Sequence, residues 1–212
     1  MKKPEARMPV LSRRDALWST GLLLAFSGSV LARESYVFES HGWHVDASRD
    51  SGEPRDVVVA AIARQLEIVQ GRAMAQDILG FMRTVPIWTD PSRRDGGAAH
   101  YDRAKGVDVR VRELDPKKPI VLHELLRAFH EQKLGYGQPK VLKFFEQARA
   151  LGAWPADATM LTDAREFFAA TSTVYLFGTI DTPPFTQAQV RAAQSEYWAW
   201  LGELFDGFRG CD

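Results

Sequence analysis

The chain has 212 residues, with 27 Lys and Arg against 27 Asp and Glu. Its first 32 residues hold five of the basic and two of the acidic side chains, so the other 180 residues carry 22 basic and 25 acidic groups. Nucleic-acid binding normally requires a clustered basic excess, so this balance argues against that class. At 45% hydrophobic and 25% charged residues, the composition is typical of a globular protein and not of a disordered one.

The first 32 residues are predicted to be an export leader. Residues 12–18 contain the pair Arg13-Arg14 and resemble a twin-arginine signal, and the apolar run 22–26 and the small residues of 30–32 follow it. Ala16 and Trp18 depart from that signal, which leaves a general secretory leader as the alternative. The apolar run is far shorter than the roughly 20 residues of a membrane span, so no anchor is expected after cleavage. The sequence therefore predicts a periplasmic or secreted protein.

Two strands and a helix are predicted at the start of the mature chain. Residues 36–40 and 43–47 flank His41-Gly42, a pattern that predicts a β-hairpin. Residues 56–70 are predicted to be helical, and 85–89 to be extended before a polar loop at 90–97. The helix prediction depends on apolar residues at helical spacing: Val58, Ile62, Leu66 and Val69.

The rest of the chain combines one more strand with several helices. In residues 107–111 valines alternate with Asp108 and Arg110, which predicts a strand with one buried and one solvated face. Helices are predicted at 119–134, 139–151, 162–176 and 186–205. A few strands followed by several helices predict an α+β protein with a small mixed sheet, and residues 33–212 are expected to form one domain.

The segment 121–130 carries the most informative motif. His123-Glu124 on a helix, preceded by apolar residues, is half of the zinc-protease motif, in which a second His follows the first by four residues. Here Arg127 occupies that fourth position, and a guanidinium stays protonated and has no lone pair for a metal. His130 lies seven residues from His123, about 10 Å along the helix axis, so one ion does not bridge both.

A second carboxylate follows on a later predicted helix. Glu166 begins the run Glu-Phe-Phe-Ala, which is where one group of zinc proteases has its third metal ligand. A structural interpretation is equally open, because Asp163 is a good N-cap and Glu166 stands three residues later, as in a capping box.

Together these segments resemble the zincin metallopeptidases whose third ligand is a Glu on a later helix, the group of the anthrax lethal factor catalytic domain. The resemblance covers roughly residues 85–177. It implies that His123 and Glu166 bind zinc, that Glu124 is the general base for a zinc-activated water, and that the Tyr175 hydroxyl steadies the oxyanion. It also implies that residues 107–114 form the sheet edge beside a peptide or protein substrate.

Arg127 departs from this family and leaves two functions open. The first is an exported zinc metallopeptidase that hydrolyses peptide bonds. The second is an inactive binding protein on a zincin fold, in which Arg127 replaces a zinc ligand and holds the two helices together through Glu124 and Glu166. A helical protein with a coincidental motif is the third. The sequence assigns no role to His41, His44, His100 or His130.

Overall fold

The computed structural model describes residues 36–49, 52–92 and 97–206. The predicted leader, residues 1–32, lies outside this part of the chain. The described residues form a mixed α+β structure with one five-stranded sheet. Within the same ranges, no helix is long and apolar enough to cross a membrane.

The strands of the sheet are β1 Val37–Ser40, β2 Trp43–Asp46, β3 Ile87–Thr89, β4 Ala99–Asp102 and β5 Gly106–Val109. Their order in the sheet is β1-β2-β3-β5-β4. Strands β2, β3 and β5 run parallel to one another, while β1 pairs antiparallel with β2 and β4 pairs antiparallel with β5. The sheet is therefore mixed, as the sequence predicts.

The predicted hairpin is confirmed. His41 and Gly42 have φ angles of 51° and 85°, and two consecutive residues with positive φ make the kind of two-residue turn that joins twisted antiparallel strands. This turn sets the register that pairs Ser40 with Trp43.

Most predicted helices are confirmed, with three differences. The helix from residue 120 changes to a π-helical turn at His130–Leu134 before Gly135 ends it. The predicted helix 186–205 is two helices, because the backbone breaks at Gln194, whose side-chain amide donates to the Phe144 carbonyl at 2.7 Å. A helix at residues 76–84 was not predicted. The helices are α1 Arg55–Gln70, α2 Gln76–Thr84, α3 Ile120–Phe129, α4 Pro139–Leu151, α5 Ala164–Phe177, α6 Gln187–Ala193 and α7 Ser195–Phe205.

The prediction for residues 107–114 is wrong in two respects. The strand β5 lies inside the sheet between β3 and β4, so it is not an edge. All four of its residues are buried, and Asp108, predicted to be solvated, is only 4% exposed. The reason is the unpredicted strand β4, which pairs with the outer side of β5 and becomes the edge strand.

The helices α1, α2 and α3 cover one face of the sheet. Trp43 and Val45 of β2 are fully buried on this face, and the Trp43 indole donates to the Met82 carbonyl of α2 at 2.9 Å. Helix α3 contacts both β4 and β5 on one side and α5 on the other. The fold therefore brings the His-Glu helix, the edge strand and the Glu166 helix together.

Candidate functional site

Helix α3 is held in place at its first turn by Gln65 of α1. The fully buried Gln65 amide donates to the carbonyls of Asp115 and Lys118 at 2.9 and 3.0 Å, and its oxygen accepts from the Val121 backbone at 3.2 Å. The apolar face of α3 is buried in the core through Val121, Leu122, Leu125, Leu126, Ala128 and Phe129. These contacts fix the direction in which His123, Glu124 and Arg127 project.

Helix α5 begins at Asp163, as the capping interpretation predicts. Asp163 Oδ1 accepts from the backbone N–H groups of Arg165 and Glu166 at 2.8 and 3.0 Å. The Glu166 carboxylate reaches α3 instead: its Oε2 lies 3.4 Å from His123 Nε2. Of the two hydrogen bonds of a capping box, the one from the Glu166 backbone N–H to the Asp163 side chain therefore forms. The Glu166 side chain joins the candidate site instead of completing the box.

Arg127 bridges the two carboxylates of the site. Its Nη1 lies 3.3 Å from Glu166 Oε1 and 3.4 Å from Glu124 Oε2. The Arg127 side chain is 19% exposed, so this is a largely buried cluster and not a surface ion pair. Its Nε is buried and has no hydrogen-bond partner within the described residues.

Glu124 also contacts the edge strand. Its Oε2 accepts a hydrogen bond from the Tyr101 backbone N–H at 2.8 Å, and Glu124 is 7% exposed. The same oxygen therefore faces both a backbone donor and the Arg127 guanidinium. Tyr101 escapes prediction from sequence because it contributes a backbone amide on a strand whose sequence lacks a clear strand pattern.

The charge of Glu166 is stabilised by its neighbours. The hydrogen bond from His123 is the largest influence that lowers the pKa of Glu166, and electrostatic interactions with His123 and with the Arg127 guanidinium add to it. Burial acts in the opposite direction, but the pKa stays below its ordinary value. Glu166 is therefore ionised at neutral pH.

A cavity of about 620 Å³ opens beside this cluster. Its charged lining is balanced, with three cations and three carboxylates, and one pair, Lys118 and Asp181, lies 2.9 Å apart. The edge strand contributes Ala99 and His100. The apolar part of the wall comes mainly from Pro119, Ile120, Phe177 and Ile180.

Tyr175 lies on a different face of α5. It follows Glu166 by nine residues, which at about 100° per residue puts it on the opposite side of the helix. Its hydroxyl donates to Asp206 Oδ2 at 3.3 Å, and its ring packs against Trp198. The structure therefore brings His123, Glu124, Arg127 and Glu166 together but does not bring Tyr175 to them.

The remaining histidines are dispersed. His100 lines the cavity, whereas His44 lies on β2 with its Nδ1 3.2 Å from Glu39. His130 is fully buried against Phe168 and Tyr136, and burial lowers its pKa to about 4. Neither nitrogen of His130 has a hydrogen-bond partner among the described residues.

The residues present do not fit a catalytic zinc ion. Such an ion normally binds three protein ligands and a water, and the cluster offers His123 and Glu166 with an arginine at the remaining position. Within residues 36–49, 52–92 and 97–206, no group of three or more His, Cys, Asp or Glu side chains is arranged to hold a metal. A guanidinium has no lone pair to coordinate one.

Comparison with known proteins gave no further assignment: no family model, no curated protein and no solved structure matches the chain.

Proposed function

We propose that the chain is a catalytically inactive binding protein for peptides or protein segments, with a zincin-like fold in which Arg127 stands in the position of a zinc ligand. The observation that carries the proposal is the Arg127 guanidinium, which lies between the Glu124 and Glu166 carboxylates at 3.4 and 3.3 Å. The arrangement of β4, α3 and α5 around one cavity supports the zincin-like fold.

The charge of Arg127 argues against a metal at this position. A divalent cation bound by His123 and Glu166 would lie within a few ångströms of a guanidinium that is always protonated. At that distance like charges repel strongly in a partly buried site. Arg127 instead supplies positive charge to both carboxylates, which is one of the roles that a zinc ion would have.

The hydrogen bond of Glu124 also favours a binding role over a catalytic one. A general base needs a carboxylate oxygen free to take a proton from a water molecule. In this site Glu124 Oε2 accepts from the Tyr101 backbone and faces Arg127, which leaves only Oε1 for such a role, and the carboxylate is largely buried. Glu124 therefore links the edge strand to α3.

The cavity indicates the type of segment that it accepts. Because its formal charges balance and part of its wall is apolar, a neutral segment with an apolar side chain suits it better than a highly charged one. Ile180 and Phe177 would contact that side chain. The leader pattern supports a protein that does this outside the cytoplasm.

An active zinc metallopeptidase is the second candidate. One observation favours it: His123 Nε2 and Glu166 Oε2 lie 3.4 Å apart on the cavity, and Glu124 follows His123 in the chain. For zinc to bind there, the Arg127 side chain would first have to move out from between the two carboxylates.

Incubation with a mixture of synthetic peptides separates the two candidates. The peptides retained by the immobilised full chain are identified by mass spectrometry, and the unbound fraction is searched for cleavage products. We expect retained, uncleaved peptides with an apolar residue in common. Zinc-dependent cleavage would contradict the proposal.

A pair of variants assigns the binding to the cavity. Ile180→Asp introduces a charge into the apolar wall and should reduce retention at least about tenfold, the effect of roughly 1.4 kcal/mol. Leu151→Asp is the matched control, since Leu151 is 56% exposed on α4 and does not line this cavity. Equal retention by the two variants would place the binding elsewhere and contradict the proposed site.

A further inference from the structure

The second face of the sheet carries a groove of about 700 Å³. On β2, His44 and Asp46 are exposed on this face while Trp43 and Val45 are buried beneath the helices. Register places Val37 beside Asp46 and Asp46 beside Trp88, so these three side chains form a row across β1, β2 and β3. The floor of the groove therefore contains an exposed valine and a partly exposed tryptophan.

Three cations line the same groove: Arg49, Arg83 and Lys105. Gly106 has a φ of 91°, and a Cβ there would meet the Pro86 carbonyl oxygen at 2.2 Å. The close approach of Gly106 to Pro86 sets Lys105, the preceding residue, at the groove wall. Asp102 Oδ1 further fixes the turn by accepting from the Lys105 backbone N–H at 3.1 Å.

Arg49 and Arg83 are held in comparable ways. Asp46 accepts from the Ser48 backbone at 2.9 Å, and the chain then places the Arg49 guanidinium 4.9 Å from the centre of the Trp88 ring. Arg83 donates to the His41 carbonyl at 3.2 Å and to the Gln70 side-chain oxygen at 2.6 Å.

The positive charge of these groups is only weakly compensated. The acceptors of Arg83 are neutral, and the Arg49 guanidinium is 4.0 Å from Asp90, beyond hydrogen-bond distance. Among the described residues, no carboxylate forms a salt bridge with Lys105. Within the described ranges, the lining has three cations against one carboxylate, Asp46, with Asp90 near Arg49 but outside the lining, whereas the charges of the candidate site are balanced.

We propose that this groove binds a small organic anion in which a carboxylate is attached to a flat, apolar body. The apolar body packs against the exposed part of Trp88, and the carboxylate pairs with Lys105 and Arg49. Charge-assisted hydrogen bonds of this kind are stronger than neutral ones, and aromatic walls favour flat ligands. This site is independent of the cavity beside Arg127.

Titration of the full chain with naphthalene-2-carboxylate tests the proposal, with the neutral naphthalene-2-carboxamide as the matched ligand. Calorimetry should give a Kd below about 1 mM for the carboxylate and at least tenfold weaker binding for the amide, a difference of about 1.4 kcal/mol. In NMR spectra the indole N–H signal that is lost in Trp88→Phe should shift during the titration. Equal affinity for the two ligands, or no binding of the carboxylate at millimolar concentration, would overturn the proposal.

Two variants locate the binding. Lys105→Gln should weaken carboxylate binding at least about threefold, as expected when one charged hydrogen bond is lost. Lys143→Gln should leave the affinity unchanged, because Lys143 is an exposed residue of α4 that pairs with Glu196. Unchanged affinity in Lys105→Gln, or equally weakened binding in Lys143→Gln, would place the ligand outside the groove and overturn the proposal.

Discussion

Nη1 of Arg127 on α3 lies 3.3 Å from Oε1 of Glu166 on α5. The same nitrogen lies 3.4 Å from Glu124, whose carboxylate accepts from the Tyr101 backbone of β4. A single side chain thus connects the His-Glu helix, the later Glu helix and, through Glu124, the edge of the sheet.

Removal of the Arg127 charge should destabilise the fold. Arg127→Gln leaves two largely buried carboxylates without their cation, which we expect to cost about 2–3 kcal/mol of unfolding free energy. Urea denaturation monitored by tryptophan fluorescence measures it. Arg64→Gln is the matched control, because Arg64 and Glu67 form an exposed pair and its loss should cost less than about 0.5 kcal/mol. A similar change in the two variants would contradict the bridging role.

Glu124 should protect the Tyr101 amide from hydrogen exchange. In Glu124→Ala the Tyr101 N–H loses its acceptor, so its exchange should accelerate at least about tenfold, since a lost hydrogen bond of about 1.4 kcal/mol is expected. Glu124→Gln keeps an acceptor oxygen and should retain most of the protection. Site-resolved exchange by NMR distinguishes these outcomes; unaltered protection in Glu124→Ala would mean that another group holds this amide.

Stability should decrease in mild acid because of His130. Burial lowers its pKa from 6.5 to about 4, so between these pH values the unfolded chain binds a proton that the folded chain does not. The stability that the neutral, buried His130 gives to the folded state is therefore fully present above pH 6.5. It is lost as the pH falls to about 4, and it does not change further below that. The loss of unfolding free energy over this range is on the order of 3 kcal/mol.

His130→Phe isolates this effect, because a phenyl ring suits the site between Phe168 and Tyr136. The difference in unfolding free energy between His130→Phe and the wild type should grow in favour of the variant as the pH falls from 7 to 4.5. A difference that is constant over this range would show that His130 titrates normally.

Two glycine substitutions should have opposite effects. Gly106→Ala combines a φ of 91° with a contact at 2.2 Å to the Pro86 oxygen, and we expect a loss of about 2–4 kcal/mol. Gly80→Ala lies in α2, where an added Cβ meets no atom within 4 Å, and should stabilise the protein by up to about 1 kcal/mol. Thermal denaturation of both variants measures whether each substitution lowers or raises the melting temperature. Equal shifts in melting temperature would contradict the close approach of Gly106 to Pro86.

Local sequence patterns were sufficient for much of the fold. The apolar spacing of α1 and the His41-Gly42 turn are local features, and both were predicted. The strand β4 was missed because Ala99-His100-Tyr101-Asp102 has little strand character of its own and forms by pairing with β5. The break at Gln194 was missed because its hydrogen-bond partner, Phe144, lies 50 residues away in the chain.

The candidate site could also be predicted only in part, because only some of its features are local in the sequence. The spacing of His123, Glu124 and Arg127 on one helix is local, and Glu166 follows from its own helix. The Tyr101 amide depends on strand pairing that sequence does not reveal. The groove on the second sheet face requires the register between three strands, so it was not predicted.

The zinc content of the wild type and of Arg127→His tests whether Arg127 takes the place of a zinc ligand. Both chains are loaded with excess zinc, desalted and measured by atomic emission, with Arg64→His as a control for an added histidine on an exposed helix. We expect less than about 0.1 zinc per chain for the wild type and for Arg64→His, and about one for Arg127→His, which completes a three-ligand set. About one tightly bound zinc in the wild type, or none in Arg127→His, would contradict that role of Arg127.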